Sequence, residues 1–325
     1  MVRVLCGFLL IALFGLCACS PFAGGSAATP TAKTTATKNP PMPPTSQGSK
    51  AQNTPSLKPT IAAPGNLAAS GKDFWVTNPS TNAKLHVLVF FQEDTTVKQP
   101  AIILVPGGTA DSGGLVQEAG QILQSGLIVV LFDPDGRGKS EGVEDYNGYK
   151  QQDGLAAVVR FTAALSQVDP ARIGIATFSY GITMGSGALA RYPDLPVRYL
   201  IDWEGPVDRN YTTTGCGPNR PGGIQWQACS NQAWWAEREA ITFISKIHVP
   251  YQRIQSEKDH VQENNQHAID IVNTAVKAGL AFVRLNDYAP NQTYDPKSPP
   301  KMLPDSQDRF LGQTVARYAQ ELLKR

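Results

Sequence analysis

A serine hydroxyl is a poor nucleophile until an adjacent imidazole takes its proton and a carboxylate holds that imidazole in the right tautomer. The chain carries groups of all three kinds: Ser179 at the centre of Thr177-Phe-Ser-Tyr-Gly181, His260 behind Gln255-Ser-Glu-Lys-Asp259, and the carboxyl groups of Asp259 and Glu204. Ser179 stands between an apolar run and a small-residue stretch, the setting of a sharp strand-to-helix turn that thrusts a hydroxyl outward. Such a turn needs small residues two positions either side of the serine. Gly181 satisfies this fully, whereas Thr177 is small but β-branched. The plainer reading of Ser179 is a helix N-cap.

The chain has four histidines. His86 falls inside an early strand, His248 precedes a strand and so belongs on the opposite edge of the sheet, and His267 reads as about two turns into a helix over 262–279. Only His260 stands at a C-terminal strand end, as either a base or a surface loop residue. Adjacent loop side chains usually diverge, so Asp259 is poorly placed to orient its neighbour. Glu204, closing a strand over 197–203, is the other candidate acid, or else a salt-bridge partner of the segment that follows. Asp259, His260, Glu263 and His267 as metal ligands form an unspecific set, and no metal is expected.

The elements that must position these groups alternate. Strands are expected at 84–93, 101–105, 127–132, 172–176, 197–203, 251–255 and 281–286, and helices at 115–124, 148–165, after Gly181, at 262–279 and at 308–324. Short, wholly apolar strands separated by helices predict an α/β fold, a mostly parallel sheet with helices on both faces. The alternation lapses over 205–236, an insertion that holds Cys216, Cys229, Trp226, Trp234 and Trp235 and is expected to form a lid above the C-terminal strand ends. Its Trp residues, with Tyr180 and Trp203, either line an apolar pocket or pack the lid, and packing is the reading preferred.

Over 73–325 this pattern resembles the α/β-hydrolase superfamily, in particular dienelactone-hydrolase and prolyl-oligopeptidase-like enzymes. The resemblance rests on the turn around Ser179, on Pro106-Gly107-Gly108 after the third strand, on Asp133-Pro-Asp-Gly-Arg-Gly-Lys-Ser140 after the fourth, and on Gln255-Ser-Glu-Lys-Asp259, where the superfamily keeps its triad acid. It implies Ser179 as nucleophile and the backbone N–H groups of Gly108 and Tyr180 as oxyanion donors. It also implies a base after the last strand, and that loop contains no histidine. Two readings follow: a serine hydrolase of esters or peptides with His260 as base and Asp259 or Glu204 as acid, or a hydrolase fold that binds or scaffolds without catalysis. No nucleotide, flavin or other cofactor motif appears.

The first 72 residues have another character. Arg3 precedes an apolar run of 13 residues, Val4 to Leu16, too short to span a bilayer and apt as a secretory signal. Leu16-Cys17-Ala18-Cys19 resembles a bacterial lipobox, which implies a signal peptide over 1–18 and lipidation of Cys19. The expected partners are therefore the membrane, through that lipid, and a small ester or peptide substrate. Residues 19–72 hold nine prolines and no acidic residue and read as a disordered tether, spanning about 40 Å as a flexible coil. Export beyond the cytoplasm favours a disulfide between Cys216 and Cys229. Beyond residue 72, 23 Lys plus Arg stand against 27 Asp plus Glu, so nucleic-acid binding is not expected.

Overall fold

The apolar runs pair into one sheet. Its strands are β1 (Lys72–Thr77), β2 (Lys84–Phe90), β3 (Gln99–Val105), β4 (Ile128–Phe132), β5 (Val168–Phe178), β6 (Tyr199–Trp203), β7 (Tyr251–Ile254) and β8 (Val283–Leu285), in the spatial order β1-β2-β4-β3-β5-β6-β7-β8. The pairings β1–β2 and β2–β4 are antiparallel, and every pairing from β4 to β8 is parallel. The computed structural model describes residues 71–325 except 93–95, 213–226 and 263, without the side chains of 306 and 307. The leader, Cys19, the tether, Cys216, Trp226 and Glu263 lie outside the described residues.

Alternation along each strand divides the core into two layers. Ala101, Ile103 and Val105 of β3 join the cluster covered by α2 (Tyr149–Ala164), α3 (Gly181–Arg191), α5 (Ala240–Ile244) and α6 (Gln266–Lys277). Ile102 and Leu104 face the opposite cluster, under α1 (Val116–Leu123) and α7 (Leu311–Leu322). Both faces are therefore buried. That is why these strands read as continuous apolar runs rather than as alternating ones.

Four elements depart from expectation. β1 is an edge strand with one buried residue, Val76, so its sequence carries little apolar signal. The short α4 (Gln232–Ala236) and α5 stand where the alternation lapses and just after it. The helix expected over 262–279 begins only at Gln266, because Asp259 Oδ1 accepts from the backbone N–H groups of Val261 and Gln262 and turns that segment into a loop. His267 therefore lies in the first turn of α6, not two turns in.

Candidate active site

Parallel register brings three strand ends side by side. Phe178 of β5 pairs with Trp203 of β6, and Trp203 with Ile254 of β7. The next residues to leave the sheet are Ser179, Glu204 and the loop that reaches His260. Ser179 has φ +51°, a left-handed conformation that is costly for a side-chain-bearing residue and recurs at functional turns. Its backbone N–H donates to Trp203 O at 2.8 Å.

Glycines make room for this corner. A Cβ on Gly181 would stand 2.7 Å from Val105 O, and one on Gly107 would stand 2.8 Å from Ser179 Cβ, so the turn after β3 lies directly against the serine. Gly108 follows at φ +50°, beside open space. Thr177 is accommodated by a second concession, since a Cβ on Gly185, one turn into α3, would lie only 2.5 Å from Thr177 Cγ2. The Thr177 hydroxyl is spent on Ile201 O, at 3.2 Å.

Behind the hydroxyl runs a line of hydrogen bonds. Ser179 Oγ and His260 Nε2 are 2.9 Å apart, and His260 Nδ1 is 2.8 Å from Glu204 Oε2. Glu204 is fully buried, also has φ +48°, and accepts from the N–H groups of Ser256 and His260, each at 3.0 Å. Its carboxylate thereby fixes both the loop and the ring upon it. The ring lies against the Trp203 indole, with centroids 4.6 Å apart and planes inclined by 23°.

Asp259 sits second in that contest. Its Oδ1 is 3.6 Å from His260 Nδ1, and its Oδ2 faces His267 Nε2 at 3.1 Å and accepts from Gln255 Nε2 at 3.0 Å. Burial opposes its charge, yet the His267 bond, that imidazole's field and the other hydrogen bonds hold its pKa well below the usual carboxylate range. Burial in turn lowers the pKa of His267. Its Nε2 faces Asp259 Oδ2 at 3.1 Å, and its Nδ1 lies 3.1 Å from Gly205 O and 3.3 Å from Arg253 Nη2. The Glu204, Asp259 and His260 ligand atoms lie within 4.8 Å of one another. Backbone N–H bonds to both carboxylates account for that grouping.

Beneath this loop lies a charged pair that sequence reasoning missed. Arg253 and Asp202 are fully buried, and Arg253 Nη1 donates to Asp202 Oδ2 at 2.5 Å and to Gly205 O at 2.9 Å, while Arg253 Nη2 reaches Gln255 Oε1. A charged residue inside each of the short strands Tyr199–Trp203 and Tyr251–Ile254 was the available signal. At the end of β8, where the resemblance implied a base, Asn286 closes onto β7 instead: its Oδ1 accepts from Gln255 N at 2.9 Å and its Nδ2 donates to Gln255 O at 3.0 Å.

The remaining expectations resolve as follows. His86 lies between Asp133 and Asp73, its Nδ1 3.1 Å from the first carboxylate and its Nε2 2.5 Å from the second. The ring of Tyr180 is buried and its hydroxyl donates to Arg238 O at 2.9 Å, so it does not line an open pocket. Its carbonyl accepts from Asn147 Nδ2. Trp235 is fully buried, in agreement with packing, and Trp203 is given to the imidazole rather than to a pocket. Arg137, within Asp133–Ser140, pairs with Glu144 at 2.7 Å and steadies the loop that carries Asn147.

Comparison with known proteins bears on the fold and the family. No curated protein matches the sequence. Among solved structures, the chain is similar in fold to the Pyrococcus furiosus esterase Pf2001, with a TM-score of 0.58 at 18% identity over 86% of this chain and 99% of that one. Est1E from Butyrivibrio proteoclasticus, solved with ferulic acid bound, gives 0.57 at 17% identity over 78% and 100% of the two chains. Porphyromonas gingivalis dipeptidyl peptidase 4 gives 0.57 at 16% over 77% of this chain and 35% of its own. The X-Pro dipeptidyl-peptidase (S15 family) profile matches residues 27–265, most of the chain and every residue of the line from Ser179 to Glu204. The chain belongs to that peptidase family, and with it to the α/β-hydrolase superfamily of enzymes that cleave ester or peptide bonds.

Proposed function

We propose that this enzyme is a lipid-tethered, extracytoplasmic serine hydrolase that cleaves small esters or peptides through an acyl-enzyme at Ser179. One observation carries the reading: the unbroken line Ser179 Oγ, His260 Nε2, His260 Nδ1, Glu204 Oε2, with spacings of 2.9 and 2.8 Å. Ser179 Oγ attacks the substrate carbonyl carbon as its proton passes to His260 Nε2. Glu204 holds the Nδ1 proton and balances the imidazolium that forms. The N–H groups of Gly108 and Tyr180 receive the charge that develops on the carbonyl oxygen. His260 then protonates the leaving alcohol or amine as the carbonyl–heteroatom bond breaks. Water, deprotonated by the same ring, attacks the acyl carbon, and the proton returns to Ser179 as the acid product leaves. In this assignment Glu204 is the acid and Asp259 is a loop-holding carboxylate.

The leader supports the location. Its short apolar run and the Leu16–Cys19 motif favour lipidation at Cys19, and export favours a Cys216–Cys229 disulfide. A fluorophosphonate probe tests the chemistry. Wild-type protein and Cys216→Ser are expected to be labelled and Ser179→Ala to remain blank; labelling that survives in Ser179→Ala overturns the assignment. Membrane fractionation tests the tether, because Cys19→Ala is expected to release the protein to the soluble fraction.

A further inference from the structure

The base of this site hangs from the loop after β7, and the ring that steadies it belongs to β6. Trp203 is the last residue of β6, half-buried, and its indole lies nearly parallel to the His260 imidazole at a centroid distance of 4.6 Å. It also meets Phe178, which precedes the serine, with ring centroids 6.3 Å apart. Trp203 Nε1 is buried without a hydrogen bond of ordinary geometry, and the Asp308 carboxylate lies close enough to interact with it. The indole is therefore held by ring packing and by its strand, with its π face turned to the one ring that changes charge during the reaction. An aromatic face packs against a neutral ring and attracts a cation more strongly.

We propose that Trp203 is a positioning residue for the reaction: its indole clamps His260 in line with Ser179 and Glu204 and stabilises the imidazolium formed when Ser179 gives up its proton. The inference rests on the triad reading above and adds a group that contributes more in the transition state than in the ground state. The charged and titratable groups around the imidazole are Glu204 at 2.8 Å, Asp259 at 3.6 Å and the Ser179 hydroxyl at 2.9 Å, while Asp308 approaches the indole from the segment before α7. The carboxylates supply the charge balance, and the indole adds its π face and the planarity that keeps both ring nitrogens on target.

Two readouts test it. With p-nitrophenyl acetate as substrate, Trp203→Leu is expected to lower kcat about tenfold with KM within about twofold, and to move the acid limb of the kcat/KM profile to lower pH; Trp203→Phe, which restores an aromatic face, is expected to recover most of the loss. The second readout needs no Trp203 variant to fold. A protonated imidazole in contact with an indole quenches its fluorescence, so wild-type emission is expected to fall on acidification, and the Trp203 part of that fall is expected to be lost in His260→Gln, leaving only the contribution of Trp75, whose ring lies 5.4 Å from that of His86. A pH-independent emission difference between wild type and His260→Gln, or a folded Trp203→Leu with unchanged kcat and pH profile, overturns the proposal. Absence of fluorophosphonate labelling in wild type strikes instead at the triad reading, so the two failures are distinguishable.

Discussion

At the scale of single residues, two carboxylates compete for one imidazole, and backbone geometry separates them. Glu204 leaves its strand at φ +48° and is thereby aimed back at His260, whereas Asp259 is turned inward to His267 and Gln255. Glu204→Gln is expected to reduce kcat by about 10³- to 10⁴-fold with the fold intact, by loss of the tautomer-fixing acceptor, as steady-state kinetics would measure. Asp259→Asn is expected to act on stability. Its pKa is depressed in the folded protein relative to an ordinary value of 3.8, so its carboxylate contributes stability that is complete above that pH and is lost as pH falls toward the folded value. The difference in thermal midpoint between wild type and Asp259→Asn is therefore expected to be largest above about pH 4 and to narrow on further acidification. The serine, the imidazole and both acids were nameable from residue type and strand-end position. Which acid faces the ring was not, because it turns on one positive φ and on a histidine whose helix starts four residues later than its spacing suggests.

At the scale of elements, the strand-to-helix corner depends on paired glycines. The departure at Thr177 is offset by Gly185, a relation invisible in a pentapeptide motif because the two residues meet only across the first turns of α3. Gly185→Ala is expected to force Thr177 and the corner apart, costing about 1–3 kcal/mol of stability in denaturant unfolding and reducing kcat. Thr177→Ser in the same chain removes the clashing methyl and is expected to restore both, a coupling that a double-mutant cycle reads directly. The parallel strands were legible because burial on two faces makes them wholly apolar. β1 was not, since its only buried residue gives no period to detect. The start of α6 was missed for a related reason: the helical spacing begins at Gln262, whose backbone amide, with that of Val261, is instead tied into a loop by the Asp259 carboxylate.

At the scale of the whole molecule, β1 sets a limit on how much of the amino-terminal region the fold requires. A chain beginning at Ser70 keeps β1 and the Asp73–His86 contact and is expected to match the full chain in kcat/KM within about twofold, a difference below the cost of any named destabilising mechanism. A chain beginning at Asn78 bares the edge of β2 and is expected to show a lower melting temperature and a tendency to self-associate by light scattering. The buried Arg253–Asp202 pair ties β7 to β6 from within, and Arg253→Met alone is expected to cost about 3–5 kcal/mol by stranding the aspartate. The broad architecture could be read from the chain because it repeats one pattern, whereas the proposed base, His260, follows β7 rather than the last strand, where the resemblance implied it. That departure shortens the distance over which the sheet must keep time. The proposed nucleophile, base and acid follow three neighbouring strands, a width of roughly 10 Å, so drift at the outer strands need not detune them. The outer strands β1 and β2 are then free to vary at little catalytic risk, and the burden of accuracy falls on the two seams between β5 and β7 and on β3, whose following turn sets Gly107 and Gly108 against the serine.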